Sequence, residues 1–337
     1  MTSPEHLFAA WDVFKQDKRN KADVMEFEKN LEQNIFQLHR DLRNKTYKHG
    51  PYSGFYITDP KRRHIHKATV RDRVLHHAIF KVLNPIFEPG FIADSFSCRI
   101  GKGTHKGVER LAEMLRAVSR NSTRPCYVLK CDVRRFFDSI DHEILLAILG
   151  RRIKDPEVVR LLKEIVRSFV GGYADLFHPR GVPIGNLTSQ LFANVYMNEL
   201  DQFIKRELHI KNYVRYTDDF IIVSTDKAEL EKLLAPIEKF LQEKLKLGLH
   251  PDKVQLVKYR KGIDFLGYVQ FPYHRLMREK SEQRMMRKIS HAGYLYQHGA
   301  IDEVRMNAIL QSYFGVLSHA DAYRLSENLK NRYWVKT

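Results

Sequence analysis

The segment that most constrains this chain is Tyr213-Val214-Arg215-Tyr216-Thr217-Asp218-Asp219-Phe220-Ile221-Ile222-Val223. Apolar, β-branched and aromatic residues flank an acidic dipeptide on both sides, the pattern of a β-hairpin with a tight turn. Asp218 and Asp219 repel each other there, and cations in the gap relieve the repulsion most directly. Upstream, the run Cys126-Tyr127-Val128-Leu129-Lys130-Cys131-Asp132-Val133 reads as a short buried strand ending at an acid. A carboxylate at such a place is costly unless it is paired or bound to a cation. A strand-end Asp plus an Asp-Asp turn is the arrangement that two-metal phosphoryl transfer requires. Asp132, Asp218 and Asp219 are therefore the candidate ligands of two Mg²⁺ ions, with Mn²⁺ as a substitute. An isolated Asp-Asp is otherwise an ordinary turn dipeptide.

The charge points the same way. The chain has 337 residues, with 57 Lys and Arg against 40 acids, a net charge of +17. That excess favours a polyanionic partner such as nucleic acid, the alternative being a generic basic surface. The length suits two or three packed subdomains. Cys98, Cys126 and Cys131 show no Cys-x-x-Cys spacing, which fits a reducing compartment without disulfides or structural zinc. No run of 18 apolar residues and no apolar leader is present, so a cytoplasmic protein without membrane contact is expected. The 16 histidines are read as non-ligands. His76 and His77 are neighbours on a helix and diverge by about 100°, and no acid or thiol completes a set around His64 and His66.

Periodicity places a helix over residues 24–44, with Phe27, Leu31, Ile35, Leu38 and Leu42 on one face. A strand is expected over 52–57, then a basic turn from Asp59-Pro60 through Lys61-Arg62-Arg63, then a helix over 70–84 stopped by Pro85. Helices follow over 141–152, 156–170, 188–208 and 227–246, with a turn-rich loop at 181–185 and strands near 254–258 and 263–271. Residues 276–334 read as helical with no β signal. A mixed helix-and-strand body thus precedes a small helical unit.

These motifs resemble a known family. Tyr216-Thr217-Asp218-Asp219 resembles the Tyr-x-Asp-Asp box of reverse transcriptases, and Asp132-Val133-Arg134-Arg135-Phe136-Phe137-Asp138-Ser139-Ile140 their first catalytic motif. Arg71-Asp72-Arg73-Val74-Leu75-His76-His77 is similar to a fingers motif of bacterial and group II intron enzymes, and Phe265-Leu266-Gly267-Tyr268 to the primer-grip turn. The resemblance implies an α+β right-hand polymerase, with an antiparallel palm sheet plus helices and a small helical thumb. Its expected parts are an N-terminal helical extension (1–50), fingers (51–125), palm (126–272, with fingers-associated helices near 156–190) and thumb (273–337). The implied activity is RNA-directed DNA synthesis from dNTPs on an RNA template with a DNA or RNA primer.

The resemblance also implies residue roles. Phe137, five positions after Asp132, would block a ribose 2′-hydroxyl, while Phe136 would be core. Lys61 and Arg63 would grip the triphosphate, for which guanidinium geometry is suited, although a solvated basic turn would read alike. Lys253 would protonate the departing pyrophosphate. Arg71 and Arg73 are expected on nucleic acid. Lys280, Arg284, Arg287 and Lys288, at i, i+4, i+7 and i+8, form one basic helix face suited to a template–primer backbone, or else a solvated face. Tyr294, Tyr296, Tyr313 and Phe314 are expected as thumb core.

Ile184-Gly185-Asn186-Leu187-Thr188-Ser189-Gln190 departs from the Gln-Gly-x-x-x-Ser-Pro of group II intron enzymes, with Ile184 for Gln and Gln190 for Pro. It resembles the enzymes of diversity-generating retroelements and related defence-associated bacterial reverse transcriptases. That implies a dedicated non-coding RNA and an accessory protein as partners. Ile184 is expected against the nascent base pair, with reduced or biased fidelity as the consequence, and Gln190 is expected among the nucleotide-binding residues. No endonuclease signature follows residue 320, which reads as a near-minimal polymerase. The competing readings are a non-catalytic RNA-binding or splicing factor on a polymerase scaffold, and an enzyme that makes RNA.

Overall fold

The computed structural model describes residues 1–59, 61–172 and 179–333; Pro60 of the basic turn and Trp334 of the last expected helix lie outside them. Three helices open the chain: α1 (Pro4–Phe14), α2 (Ala22–Lys29) and α3 (Leu31–Arg43). The single helix expected over 24–44 is broken at Asn30, whose backbone leaves the helical region (φ −119°, ψ 37°). The break lets α2 and α3 bury Val24 and then Ile35, Leu38 and Leu42 against the same neighbour from two directions.

That neighbour follows an exposed antiparallel ribbon, β1 (Ser53–Ile57) with β2 (Arg63–Lys67). It is α4 (Val70–Phe87), whose first turn is capped by the Thr69 hydroxyl accepting from Asp72 N–H. Pro85 does not stop α4 as expected: the helix runs to Phe87. In the last turn a proline removes one hydrogen bond without disturbing turns beyond it, and Leu83 and Phe87 are buried on either side. Then come α5 (Thr104–Val118), β3 (Tyr127–Asp132), a short α6 (Phe136–Ser139), α7 (His142–Arg152) and α8 (Pro156–Arg167). Asp141 and Asp155 cap α7 and α8. α9 (Leu187–Gln202) continues as a π-helical turn over Phe203–Glu207.

The central sheet is completed by β4 (Tyr213–Tyr216), β5 (Asp219–Ser224) and, after α10 (Lys227–Leu245), β6 (Gln255–Lys258). Its order is β4-β5-β3-β6, with every pair antiparallel. Phe220 and Ile222 of β5 join the core under α9 and α10, while Ile221 and Val223 join the core under α5. A strand covered on both faces reads as a continuous apolar run, which is why residues 220–223 show no polar alternation.

A second sheet, β7 (Ile263–Phe265), β8 (Tyr268–Gln270) and β9 (Arg275–Met277), leads into α11 (Glu279–Gln297), α12 (Glu303–Leu317) and α13 (Tyr323–Tyr333). β9 corrects the expectation of a purely helical region from 276. Its three residues are too few to show alternation, and cross-strand pairing with β8 makes it a strand. The last three helices hold their own core, including Met285, Ile289, Met306 and Leu310, with Tyr313 and Phe314 packed at its edge. Tyr294 and Tyr296, expected in that core, are exposed.

Candidate active site

β4 and β5 are joined by Thr217 and Asp218, with Tyr216 and Asp219 as the closing pair. Thr217 has φ +57°, and Asp218 is not among the positive-φ residues. That is the sign pattern of a type II′ turn, which normally takes glycine first. The β3–β5 register sets Asp132 opposite Asp219. Val133 N–H donates to the Asp218 carbonyl at 3.2 Å, and His250 N–H donates to the Asp132 carbonyl at 2.8 Å. The 3₁₀ turn Pro251–Lys253 then carries Lys253 back over the sheet, where its Nζ donates to Asp132 Oδ1 at 2.7 Å. Four residues separated by up to 121 positions thus converge.

Burial pushes the Asp218 carboxyl up to about 6, helped by the negative fields of Asp219 and Asp132. Asp219 is also raised, by burial first; Lys130 opposes the shift, and the negative field of Asp132 reinforces it. This is negative charge that Lys130 and Lys253 only partly offset, of the kind a divalent cation neutralises. The donors are carboxylate oxygens with no thiol or imidazole, which suits a hard ion such as Mg²⁺. Among the described residues no three His, Cys, Asp or Glu side chains form a ready-made metal cage. An open site supplying few carboxylates and leaving positions to water and phosphate is the Mg²⁺ habit. The residues present therefore fit the ion.

Phe136 is buried in the core, while Phe137 is half-buried. The Phe137 carbonyl accepts from Val182 N–H at 2.8 Å, tying it to the loop that carries Ile184. The Ile184 carbonyl accepts from His66 N–H at 3.0 Å, and Asn186 Nδ2 donates to the His66 carbonyl at 2.8 Å. This fastens β2 to the loop before α9. Gly185 must be glycine there: its φ is +109°, and a Cβ would lie 2.7 Å from Ile65 Cγ2. Gln190 is half-buried in the first turn of α9. Lys61 and Arg63 are exposed on the ribbon with no ion-pair partner among the described residues.

Other basic residues are already engaged. Arg71 donates to Asp41 Oδ2 at 2.6 Å, and Arg73 pairs with Asp23. Their guanidiniums staple α3 and α2 to α4. On α11, Arg284 and Lys288 both pair with Asp59 at the tip of the ribbon, whereas Lys280 and Arg287 are exposed.

Sequence reading missed the groups behind the turn. Arg215 and Asp201 are fully buried; Arg215 Nε and Nη2 donate to Asp201 Oδ1 and Oδ2 at 2.7 and 2.6 Å. The available signal was a lone Arg inside an apolar strand, which demands a buried counter-charge. A cleft of about 750 Å³ lies between the start of α5, the Leu266–Gly267 turn, α11 and α12. Thr104 on its rim hydrogen-bonds the Tyr216 hydroxyl at 3.2 Å. No helix among the described residues is long and apolar enough to cross a membrane.

Residues 48–270 match the family described as reverse transcriptase (RNA-dependent DNA polymerase). Protein YkfC of Escherichia coli (strain K12) is 28% identical over 291 residues, covering 75% of this chain and 74% of that protein. The group II intron-encoded protein LtrA of Lactococcus lactis subsp. cremoris is 24% identical over 306 residues, covering 70% of this chain and 49% of LtrA. The chain therefore spans about half the length of LtrA. Apo telomerase from Candida tropicalis shares the fold with a TM-score of 0.52 at 12% identity, over 84% of this chain and 60% of that one. The architecture is the α+β right-hand polymerase fold, and the chain belongs to the reverse transcriptase family.

Proposed function

We propose that this protein is an RNA-directed DNA polymerase that extends a DNA or RNA primer with dNTPs on an RNA template. The observation that carries the reading is the convergence of Asp132, Asp218, Asp219 and Lys253 at one end of an antiparallel sheet. Asp132, Asp218 and Asp219 would hold two Mg²⁺ ions, which when bound activate the 3′-hydroxyl and neutralise pyrophosphate charge. Lys253 sits on Asp132 and is the nearby ammonium able to give a proton to the leaving group. Lys61 and Arg63 reach for the triphosphate from the ribbon, and Phe137 closes the space a 2′-hydroxyl would fill. Fingers, palm and thumb take the spans 51–125, 126–272 and 273–337, after an N-terminal helical extension. The primer strand runs along the cleft beside the Leu266–Gly267 turn.

Primer extension on an RNA template, abolished by Asp218→Ala, tests the reading. Tight RNA binding with no extension under any primer or partner would favour the splicing-factor alternative instead, to which the intron-encoded relatives lend weight. Ile184 and Gln190 support a role in a diversity-generating retroelement or an antiviral-defence system, with a dedicated RNA and an accessory protein. Sequencing the nucleic acid that copurifies, and the DNA made from it, tests that role. An unchanged error spectrum in Ile184→Gln would remove Ile184 from any account of fidelity.

A further inference from the structure

The turn that carries Asp218 is held in a conformation its sequence resists. Thr217 sits at φ +57°, where a β-branched side chain is strained. Two groups clamp it. Arg215 Nη1 donates to the Thr217 carbonyl at 3.0 Å, and the Thr217 hydroxyl donates to Ser97 Oγ at 2.5 Å. Each clamp is itself anchored. Arg215 is locked on Asp201, which also accepts from the Tyr213 hydroxyl at 2.8 Å. Ser97 is buried, and its carbonyl accepts from Asn194 Nδ2 at 2.8 Å. Phe96 N–H donates to the Arg215 carbonyl at 3.0 Å, so the segment ending at Ser97 is bound alongside β4.

Peptide units are planar, so fixing a carbonyl fixes the whole unit. The unit before Asp218 is pinned by Arg215 through the Thr217 carbonyl. The unit after it is pinned by Val133 through the Asp218 carbonyl. With both flanking planes held, the backbone direction from which the Asp218 carboxyl departs is set. Ser97 keeps Thr217 in the left-handed region that this geometry needs.

We propose that Ser97 and Arg215 are positioning residues of the polymerase site: by clamping Thr217 at its hydroxyl and its carbonyl, they fix the turn that aims Asp218 at the ions. The chemistry rests on the polymerase reading above; the clamp rests on the turn. Neither residue is placed on substrate.

The test pairs direct Mn²⁺ binding to the protein alone, read by electron paramagnetic resonance of the free ion, with steady-state extension and thermal melting. Thr217→Val removes the hydroxyl at constant shape, and Ser97→Ala removes its acceptor. Each should weaken Mn²⁺ binding by roughly tenfold, in the range seen when a ligand's supporting partner is lost. Each should lower kcat while KM for dNTP stays within about twofold, because the nucleotide contacts are untouched. The double variant should be no worse than either single one, since both remove one interaction. Thr217→Ser, which keeps the hydroxyl, should bind as the wild type does. Unchanged Mn²⁺ binding in Ser97→Ala and Thr217→Val, with melting intact, overturns the proposal, as does a wild-type protein that takes up no Mn²⁺. Ser97-dependent Mn²⁺ binding in a protein that extends no primer would keep the clamp and discard the polymerase reading.

Discussion

Asp132 and Asp219 are direct cross-strand partners on β3 and β5, so two carboxyl groups branch from paired positions of the ladder. Like charges placed opposite each other weaken a sheet. The sheet therefore carries a liability at its end that Lys253, bound to Asp132, only partly covers. Active sites often keep such local costs because function needs them.

The first prediction concerns that cost. The folded-state value of Asp218, about 6, lies above its ordinary 3.8. The native state thus binds the proton more tightly, and stability falls as pH rises from about 4 to 6. Asp218→Asn should stabilise the metal-free protein at pH 8 by on the order of 1–3 kcal/mol, and by little near pH 4. Millimolar Mg²⁺ should narrow the difference by stabilising the wild type alone. Urea unfolding at the two pH values checks this, and an equal effect at both would remove the electrostatic cause.

Lys253 touches Asp132 and is about two-fifths exposed. Acting as a general acid, its loss in Lys253→Met should slow single-nucleotide incorporation by roughly 10²–10⁴-fold. The pH–rate profile should lose its alkaline limb, and Lys253→Arg should keep less rate than its retained charge suggests. A Lys253→Met variant that changes only metal affinity would reduce Lys253 to a counter-ion for Asp132.

Phe137 is half-buried and held through its backbone by Val182. Phe137→Ala should leave dNTP incorporation largely intact while raising ribonucleotide use by roughly tenfold or more, as shape discrimination in a pocket allows. The ratio of kcat/KM for dGTP and GTP measures it. Equal ratios in both proteins would move sugar selection to another residue.

Asp59 holds Arg284 and Lys288, and those cations pull its carboxyl below the usual range. Phosphates of a bound duplex would compete for the same two groups. Asp59→Ala should therefore tighten template–primer binding at low salt. If both freed side chains reach phosphate, the slope of log K against log salt should steepen by about 0.9 per contact. An unchanged slope would mean that this helix face does not meet the backbone.

The sheet and the acids at its end were readable for physical reasons. Asp132 ends an apolar run and Asp218-Asp219 interrupts another, so both acids show against a background that excludes charge. The starts of α7 and α8 were equally plain, because the groups that open a helix, here capped by Asp141 and Asp155, are local. The break at Asn30, the persistence of α4 through Pro85 and the strand β9 were not. Each is decided by what the segment packs or pairs against, and no local residue announces it. Arg71 and Arg73 show the same limit from the other side. Their motif suggested nucleic acid and gave no sign that Asp41 and Asp23, some 30 and 50 positions away, pair with them.

By itself, the sequence determined which side chains can bind cations, which strand is buried on both faces and which aromatic follows the first acid. Those are properties of residue type and spacing. Only the tertiary structure decided that Asp132 lies opposite Asp219, that Lys253 returns to cover it, and that Ser97 and Arg215 meet at Thr217. These are contacts between segments tens to more than a hundred residues apart, set by strand register and helix packing. A carboxylate's identity is written in one residue, but its direction is set by the groups that pin the two peptide planes around it.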